Sequence, residues 1–143
     1  MTSPELEALA AMGKLKKEPG DQEEFDQLVR SGNARLAEAA KTSIELESGF
    51  DLAYNAAQVL SLAALRWHGY RSDSRYVVFE SLPHTLGVAP SVWRMLALCH
   101  QRLDEAEYEG HLEVDSQLFT DLIAAAKAIA AAAAAMGPVP GAR

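Results

Sequence analysis

The residues best suited to chemistry are concentrated in one window of the chain, residues 66–102. This window holds five arginines against two acidic residues, Asp73 and Glu80, a local balance of +3 in a chain whose net charge is −7. Three of the four histidines, both tryptophans and two tyrosines lie in the same window. Guanidinium groups bind phosphate and aromatic rings stack on bases, so the window predicts a surface for a nucleic acid or nucleotide. The alternative is a rim of arginines that pair with acidic neighbours. The candidate phosphate-binding residues are Arg66, Arg71, Arg75 and Arg94.

A second polar stretch, His100 to His111, suggests a different chemistry. An arginine that stabilises a phosphorane and a histidine that moves protons together support metal-independent cleavage of RNA. The candidates are Arg102 and His111, whose separation of nine residues places them on opposite sides of a continuous helix. They would converge only if the chain turned at Gly110, or if each came from a different subunit of a dimer. The alternative for His111 is a solvated helix end.

Metal and nucleophile chemistry are not predicted. His68, His84, Cys99 and His100 include no pair at the spacing of one helical turn, and the adjacent Cys99 and His100 point about 100° apart on a helix. Cys99 continues an apolar helix face and is interpreted as a core residue. The chain has no glycine-rich phosphate loop, so we expect neither a metal nor another cofactor.

The composition favours one helical domain. Of 143 residues, 49% are hydrophobic but only 7% are aromatic, and alanine supplies much of the apolar count, which suits packed helices better than a sheet. Outside the window the net charge is −10, which argues against wrapping a duplex and suits a basic protein partner. The longest uncharged runs, 52–65 and 128–142, are shorter than the roughly 20 residues that span a bilayer. The beginning of the chain, with Glu5 and Glu7, lacks the basic region of a signal peptide. We therefore expect a cytoplasmic protein that does not bind membranes.

Hydrophobic spacing predicts an all-α, up-and-down antiparallel bundle of about five helices. A loosely attached lead-in, residues 1–20, precedes the bundle of residues 21–136, and a flexible tail, residues 137–143, follows it. The triplet 31–33 marks a break, kink or restart within the first helix, and Pro83 is expected to kink or end the third. The expected helices span about 21–44, 50–68, 73–86, 90–110 and 115–135.

Two stretches resemble the HEPN superfamily. Residues 50–57 followed by residues 63–71 look like the long second core helix of HEPN domains, and residues 106–110 resemble the Arg-Asn-x-x-Glu/Asp-Tyr signature of a small bacterial branch. The resemblance covers about residues 21–136. It implies a helical bundle that is usually a homodimer. Many members are ribonuclease toxins or partners of small nucleotidyltransferases in toxin–antitoxin and defence modules, and bacterial relatives are often labelled DNA-binding.

The chain departs from the catalytic pattern of that family. Counting back from Glu107 and Tyr108, the signature's Arg-Asn pair falls on Leu103 and Asp104. The ribonuclease members need a histidine after four to six intervening residues, and neither Leu103 nor Arg102 has one at that distance. We therefore expect a non-catalytic HEPN-like domain that binds a nucleic acid, a nucleotide or a protein. Its cleft would lie on the helix of residues 90–110, near Arg102, Glu107 and Tyr108. The alternatives are a divergent metal-independent ribonuclease toxin and a pure protein-interaction partner of a nucleotidyltransferase.

Overall fold

The computed structural model describes residues 3–41, 43–110 and 114–141, which form seven helices and one two-stranded sheet. The prediction of an all-α helical bundle is confirmed. The helices are α1 (Pro4–Ala11), α2 (Gln22–Ala39), α3 (Leu46–Trp67), α4 (Arg75–Glu80), α5 (Leu82–Thr85), α6 (Pro90–Glu109) and α7 (Ser116–Ala134). The strands are β1 (Lys16–Lys17) and β2 (Tyr70–Arg71).

Helix α3 is the centre of the molecule. It packs against α2 and α7 on one side and against α4, α5 and α6 on the other. Phe50, Ala53, Leu60 and Ala64 along it are fully buried. Because its alanines recur at the spacing of one helical turn, neighbouring helices can approach α3 closely. A central helix of this kind fixes where each surrounding helix lies.

Helix α2 is continuous through Gly32, so the prediction of a break at residues 31–33 is wrong. Gly32 is buried, and a Cβ at this position would lie 2.5 Å from Cγ of Leu60 on α3. The glycine therefore serves close packing of two helices rather than a change of direction. The helix also ends at Ala39, earlier than the expected Ile44.

The segment between α3 and α6 forms two short helices rather than one. Helix α4 begins after Ser74, whose side-chain oxygen accepts a hydrogen bond from the backbone N–H of Val77. It ends at Glu80, and α5 follows with Pro83 at its second position. Proline is accepted there because its missing N–H has no helical partner in the first turn. The predicted interruption near Pro83 is thus found two residues before it, at Ser81.

Residues 3–20 are packed onto the bundle, in contrast to the loose lead-in that the sequence predicts. Leu6 is fully buried and Leu15 is 4% exposed. Strand β1 pairs antiparallel with β2, with Lys16 opposite Arg71 and Lys17 opposite Tyr70. Apolar anchors and backbone hydrogen bonds therefore hold a segment whose lysines and Pro-Gly pair are typical of a linker.

The end of the chain also contacts the bundle as far as Val139. The indole N–H of Trp67 donates to the carbonyl of Gly137 over 2.9 Å. Val139 is buried, and its backbone N–H donates to Oε1 of Gln22 on α2. The expected flexible tail is thus anchored through residue 139.

Among the described residues, α7 is the helix that is long and apolar enough to cross a membrane by length and composition alone. Its Leu122, Ala126 and Ile129 are nevertheless fully buried in the core. A core helix of a globular bundle has the same length and composition, so absence of a membrane span stays a prediction.

Candidate functional site

The structure divides the five arginines into groups with different surroundings. Arg66, at the end of α3, is 2% exposed, and its Nε donates to Oε1 of Glu24 over 2.6 Å. Its two terminal nitrogens donate to the carbonyls of Glu18 and Pro19 over 2.9 and 2.7 Å. A buried guanidinium is stable only when it is paired and hydrogen-bonded in this way. The prediction that Arg66 contacts phosphate is therefore wrong.

Arg71 belongs to the same ion-pair network. Its guanidinium lies 2.6 Å from a carboxylate oxygen of Glu24 and 2.9 Å from one of Glu18. The hydrogen bonds that Arg71 donates to Glu24 and Glu18 raise the pKa of Arg71. Burial on its own would raise the pKa of Glu24, but the hydrogen bonds from Arg66 and Arg71 outweigh it and hold that pKa below its ordinary value. Two carboxylates thus occupy the Nε–Nη2 edge of this guanidinium and compete with a phosphate for it, so the assignment of Arg71 to a phosphate site stays a prediction that its surroundings disfavour.

A groove lies between α4 and α6, and we call it the aromatic groove. Its volume is about 430 Å³. The rings of Tyr76 and Trp93 meet edge to face at 87°, with their centroids 6.0 Å apart. Tyr76 is 43% exposed, which is unusual for a large ring in a small domain. The lining residues are Tyr76, Trp93, Arg94, Ala97, Leu98, His100, Gln101 and Asp104.

A chain of hydrogen-bonding side chains lies beside this groove. The hydroxyl of Tyr54, a buried residue of α3, lies 2.8 Å from Nδ1 of His100. Burial raises the pKa of Tyr54, against the opposing effect of Arg75, so the phenol stays protonated and donates to Nδ1. The other ring nitrogen, Nε2, lies 3.4 Å from Oδ2 of Asp104 one turn further along α6. His100 is therefore held through Nδ1 by a buried hydroxyl, while its Nε2 faces an exposed carboxylate.

Arg75 and Arg94 supply positive charge near the groove. Arg94 lines it from α6, and Arg75, the first residue of α4, places its guanidinium carbon 5.7 Å from the centroid of the Tyr54 ring. Both arginines are exposed. Within the described part of the chain, neither has a carboxylate within 4.0 Å, unlike Arg66 and Arg71. Of the four arginines predicted to bind phosphate, these two keep guanidinium edges that a ligand can reach.

The remaining sequence candidates do not line the aromatic groove. Arg102 is exposed on α6, and Tyr108 is 96% exposed near the end of that helix. Glu107 lines a separate recess of about 500 Å³, which also includes the carboxylates of Glu45, Glu47 and Asp51. A recess with this charge repels phosphate. The predicted cleft of Arg102, Glu107 and Tyr108 therefore lacks the charge that a nucleic acid needs.

The candidate ribonuclease pair cannot be assembled from the described residues. His111 lies outside them. Helix α6 ends at Gly110, whose φ of 87° is the left-handed conformation that ends many helices.

Cys99 is fully buried, and burial raises the pKa of its thiol to about 12, against the opposing charge of Arg102. Such a thiol is neither ionised nor accessible, as expected of a core residue.

Sequence reasoning missed three members of the site: Tyr54, His100 in its paired role, and Asp104. The spacing of His100 and Asp104, four residues apart on one helix, was a signal for their pairing. Tyr54 lies 46 residues from His100 in the chain and gave no local signal. In residues 3–41, 43–110 and 114–141, no group of three or more His, Cys, Asp or Glu side chains is placed to hold a metal ion.

Comparisons with known proteins do not assign the chain to a group. No family model, no curated protein and no solved structure matches it. The resemblance to HEPN domains therefore stays a prediction, and the function must be argued from the geometry.

Proposed function

We propose that this protein is a non-catalytic helical binding module that takes a nucleic acid or nucleotide in the aromatic groove. The observation that carries the proposal is the placement of two exposed arginines without carboxylate partners, Arg75 and Arg94, beside the perpendicular rings of Tyr76 and Trp93. Aromatic faces and guanidinium groups are the elements with which proteins hold unpaired bases and their phosphates. The net charge of −7 disfavours long-range capture of a duplex, so recognition depends on this local site.

The non-catalytic part of the proposal is supported by the state of the reactive groups. Nδ1 of His100 is hydrogen-bonded to the buried Tyr54, and Nε2 faces Asp104 at 3.4 Å. A general base needs a free lone pair within hydrogen-bond distance of the proton it removes. His100 is therefore better suited to shaping the groove than to moving protons in it.

The experiment is a binding titration with fluorescently labelled single-stranded RNA at low salt, followed by a denaturing gel of the same RNA. Arg94→Ala removes one charge-assisted contact, worth about 1.5–3 kcal/mol, so affinity should fall roughly 10- to 100-fold. Arg102→Ala is the matched control, because it removes an exposed arginine from the same helix outside the groove. Equal losses in the two variants would contradict the proposal, as would an unchanged affinity in Arg94→Ala. Cleavage of the RNA that disappears in Arg102→Ala would favour the ribonuclease alternative instead.

A second candidate function is that of a protein-interaction module. The acidic recess of Glu45, Glu47, Asp51 and Glu107 favours it, together with the exposed side chain of Tyr108 nearby in sequence. The expected partner is basic, such as a nucleotidyltransferase of a toxin–antitoxin or defence module. Co-purification from cells that express both proteins tests it, and Glu45→Gln with Glu47→Gln should abolish the complex. A cytoplasmic location and a homodimer belong to this proposal as expectations, and size-exclusion chromatography with light scattering measures the dimer.

A further inference from the structure

We infer that the aromatic groove holds one nucleotide unit, a single unpaired base with its own phosphate, rather than a tract of a longer strand. This inference rests on the proposed function, because it specifies the ligand of the same groove. Three independent features of the groove limit the ligand to one unit: the angle between its rings, the placement of its arginines and the charge at its end.

The ring geometry admits one stacked base. Tyr76 and Trp93 lie at 87° to each other, so a planar base that is parallel to one ring is perpendicular to the other and can stack on only one of them. Proteins that hold a run of bases present successive aromatic faces along the strand. Here the second ring closes the side of the site instead of continuing the stack. The volume of about 430 Å³ also falls near the lower end of the range for small-ligand pockets.

The two arginines of the groove can contact at most one phosphate group each, one on either side of such a base. Arg94 lines the groove on α6, and Arg75 approaches from the start of α4, where its guanidinium also contacts the face of Tyr54. The neighbouring arginines that would extend a phosphate path along β2 and α3, Arg71 and Arg66, are neutralised by Glu18 and Glu24. A longer backbone that reached these two residues would meet guanidinium groups already paired with carboxylates.

Negative charge closes the groove at its other end. Asp104 lines the groove with 66% of its side chain exposed. Beyond it, α6 continues with Glu105, Glu107 and Glu109, all exposed. A strand that followed α6 toward the end of the helix would place its phosphates against these carboxylates, at a cost that rises with each nucleotide.

The test compares adenosine 5′-monophosphate, adenosine, ribose 5-phosphate and a ten-residue oligoadenylate on the full chain, by calorimetry and by competition against labelled oligoadenylate. We expect the monophosphate to displace the oligomer completely. The Kd of the monophosphate should lie within about three-fold of the Kd of the oligomer when the oligomer concentration is expressed in nucleotide units. Adenosine and ribose 5-phosphate should each bind at least ten-fold more weakly than the monophosphate. The logarithm of the oligomer affinity should fall with the logarithm of salt concentration with a slope of about −0.7 to −1.4, the value for one or two neutralised phosphates.

Variants locate the site. Tyr76→Ala should weaken binding of the monophosphate at least five-fold. Tyr108→Ala, which removes a more exposed tyrosine outside the groove, should leave binding unchanged. If both tyrosine variants bind like the parent chain, the groove is not the site and the inference is wrong.

The outcomes for ligand length separate the inference from the proposed function. An oligomer that binds ten-fold or more tightly per unit, with a salt slope steeper than about −3, would overturn the single-unit inference and leave the groove as a strand-binding surface. Absence of binding by every probe would overturn the proposed function together with the inference.

Discussion

Replacing Arg66 by Met tests the assignment of this arginine to the buried ion-pair network. The substitution keeps most of the side-chain volume but removes donors to the Glu24 carboxylate and to the carbonyls of Glu18 and Pro19. Breaking a buried ion pair by removing one partner costs about 3–5 kcal/mol. A loss in the upper half of this range would require Glu24 to become an unpaired, buried negative charge. Glu24 instead keeps Arg71 as an ion-pair partner and is one-third exposed to solvent. We therefore expect a loss of about 3 kcal/mol. It comes mainly from the charged hydrogen bond to Glu24 and from the carbonyls of Glu18, Pro19 and Tyr70, which lose their donor.

Urea denaturation followed by far-ultraviolet circular dichroism measures this loss. In a thermal denaturation experiment, a loss of about 3 kcal/mol in a protein of this size should lower Tm by about 6–12 °C. Arg66→Lys should recover part of the stability, because it keeps the charge but not the forked geometry. Arg94→Ala, which removes an exposed arginine without a carboxylate partner, should change the free energy of unfolding by less than about 0.5 kcal/mol. A loss below about 1 kcal/mol in Arg66→Met would refute the reasoning that this arginine is structural.

Three further predictions concern packing, pH and thiol reactivity. Gly32→Ala should lower the free energy of unfolding by about 1–2 kcal/mol in urea titrations, because the clash of the new Cβ with Leu60 exceeds the gain in helix propensity; a stabilised variant would contradict the close approach of α2 and α3. The arginine partners of Glu24 hold its pKa in the folded protein below the ordinary value of 4.5. The Glu24 carboxylate therefore stabilises the fold above pH 4.5, and this contribution is lost as the pH falls through the pKa of the folded protein. Glu24→Gln should therefore flatten the acid limb of a stability–pH curve, and an unchanged limb would argue against the network. The Cys99 thiol, buried and with a pKa raised to about 12, should react with a disulfide reagent only after addition of denaturant, and rapid reaction of the folded protein would contradict its core position.

The helices that carry the site could be predicted from apolar spacing. The expected spans 50–68, 90–110 and 115–135 correspond to α3, α6 and α7 with differences of a few residues at the ends. Each has a continuous apolar face and a clear boundary residue, such as Gly69 after α3 or Pro90 at the start of α6. Sequence patterns do not predict the structure where one residue type is compatible with two opposite structural roles. Gly32 can interrupt a helix or allow another helix to approach, and only the position of Leu60 decides between them.

The roles of the arginines could not be predicted from the sequence. Arg66 and Arg94 are the same residue type in the same basic window, yet one is buried against Glu24 and the other lines an open groove. The partner that decides the role of Arg66 lies 42 residues away in the chain. Local charge counts therefore identified a basic segment correctly but could not separate structural cations from those available to a ligand.

The measurement that tests the central claim most directly is a titration of the ¹⁵N-labelled protein with adenosine 5′-monophosphate, followed by two-dimensional NMR. The chain provides its own control, because it has two indole N–H signals: Trp93 lines the aromatic groove, whereas the indole of Trp67 donates to the carbonyl of Gly137. We predict saturable shifts of the Trp93 indole and of the backbone amides of Tyr76, Arg94 and His100, with the Trp67 indole unmoved. Shifts confined to residues 45–51 and 103–110, equal shifts of both indoles, or no shift at millimolar ligand would contradict the account.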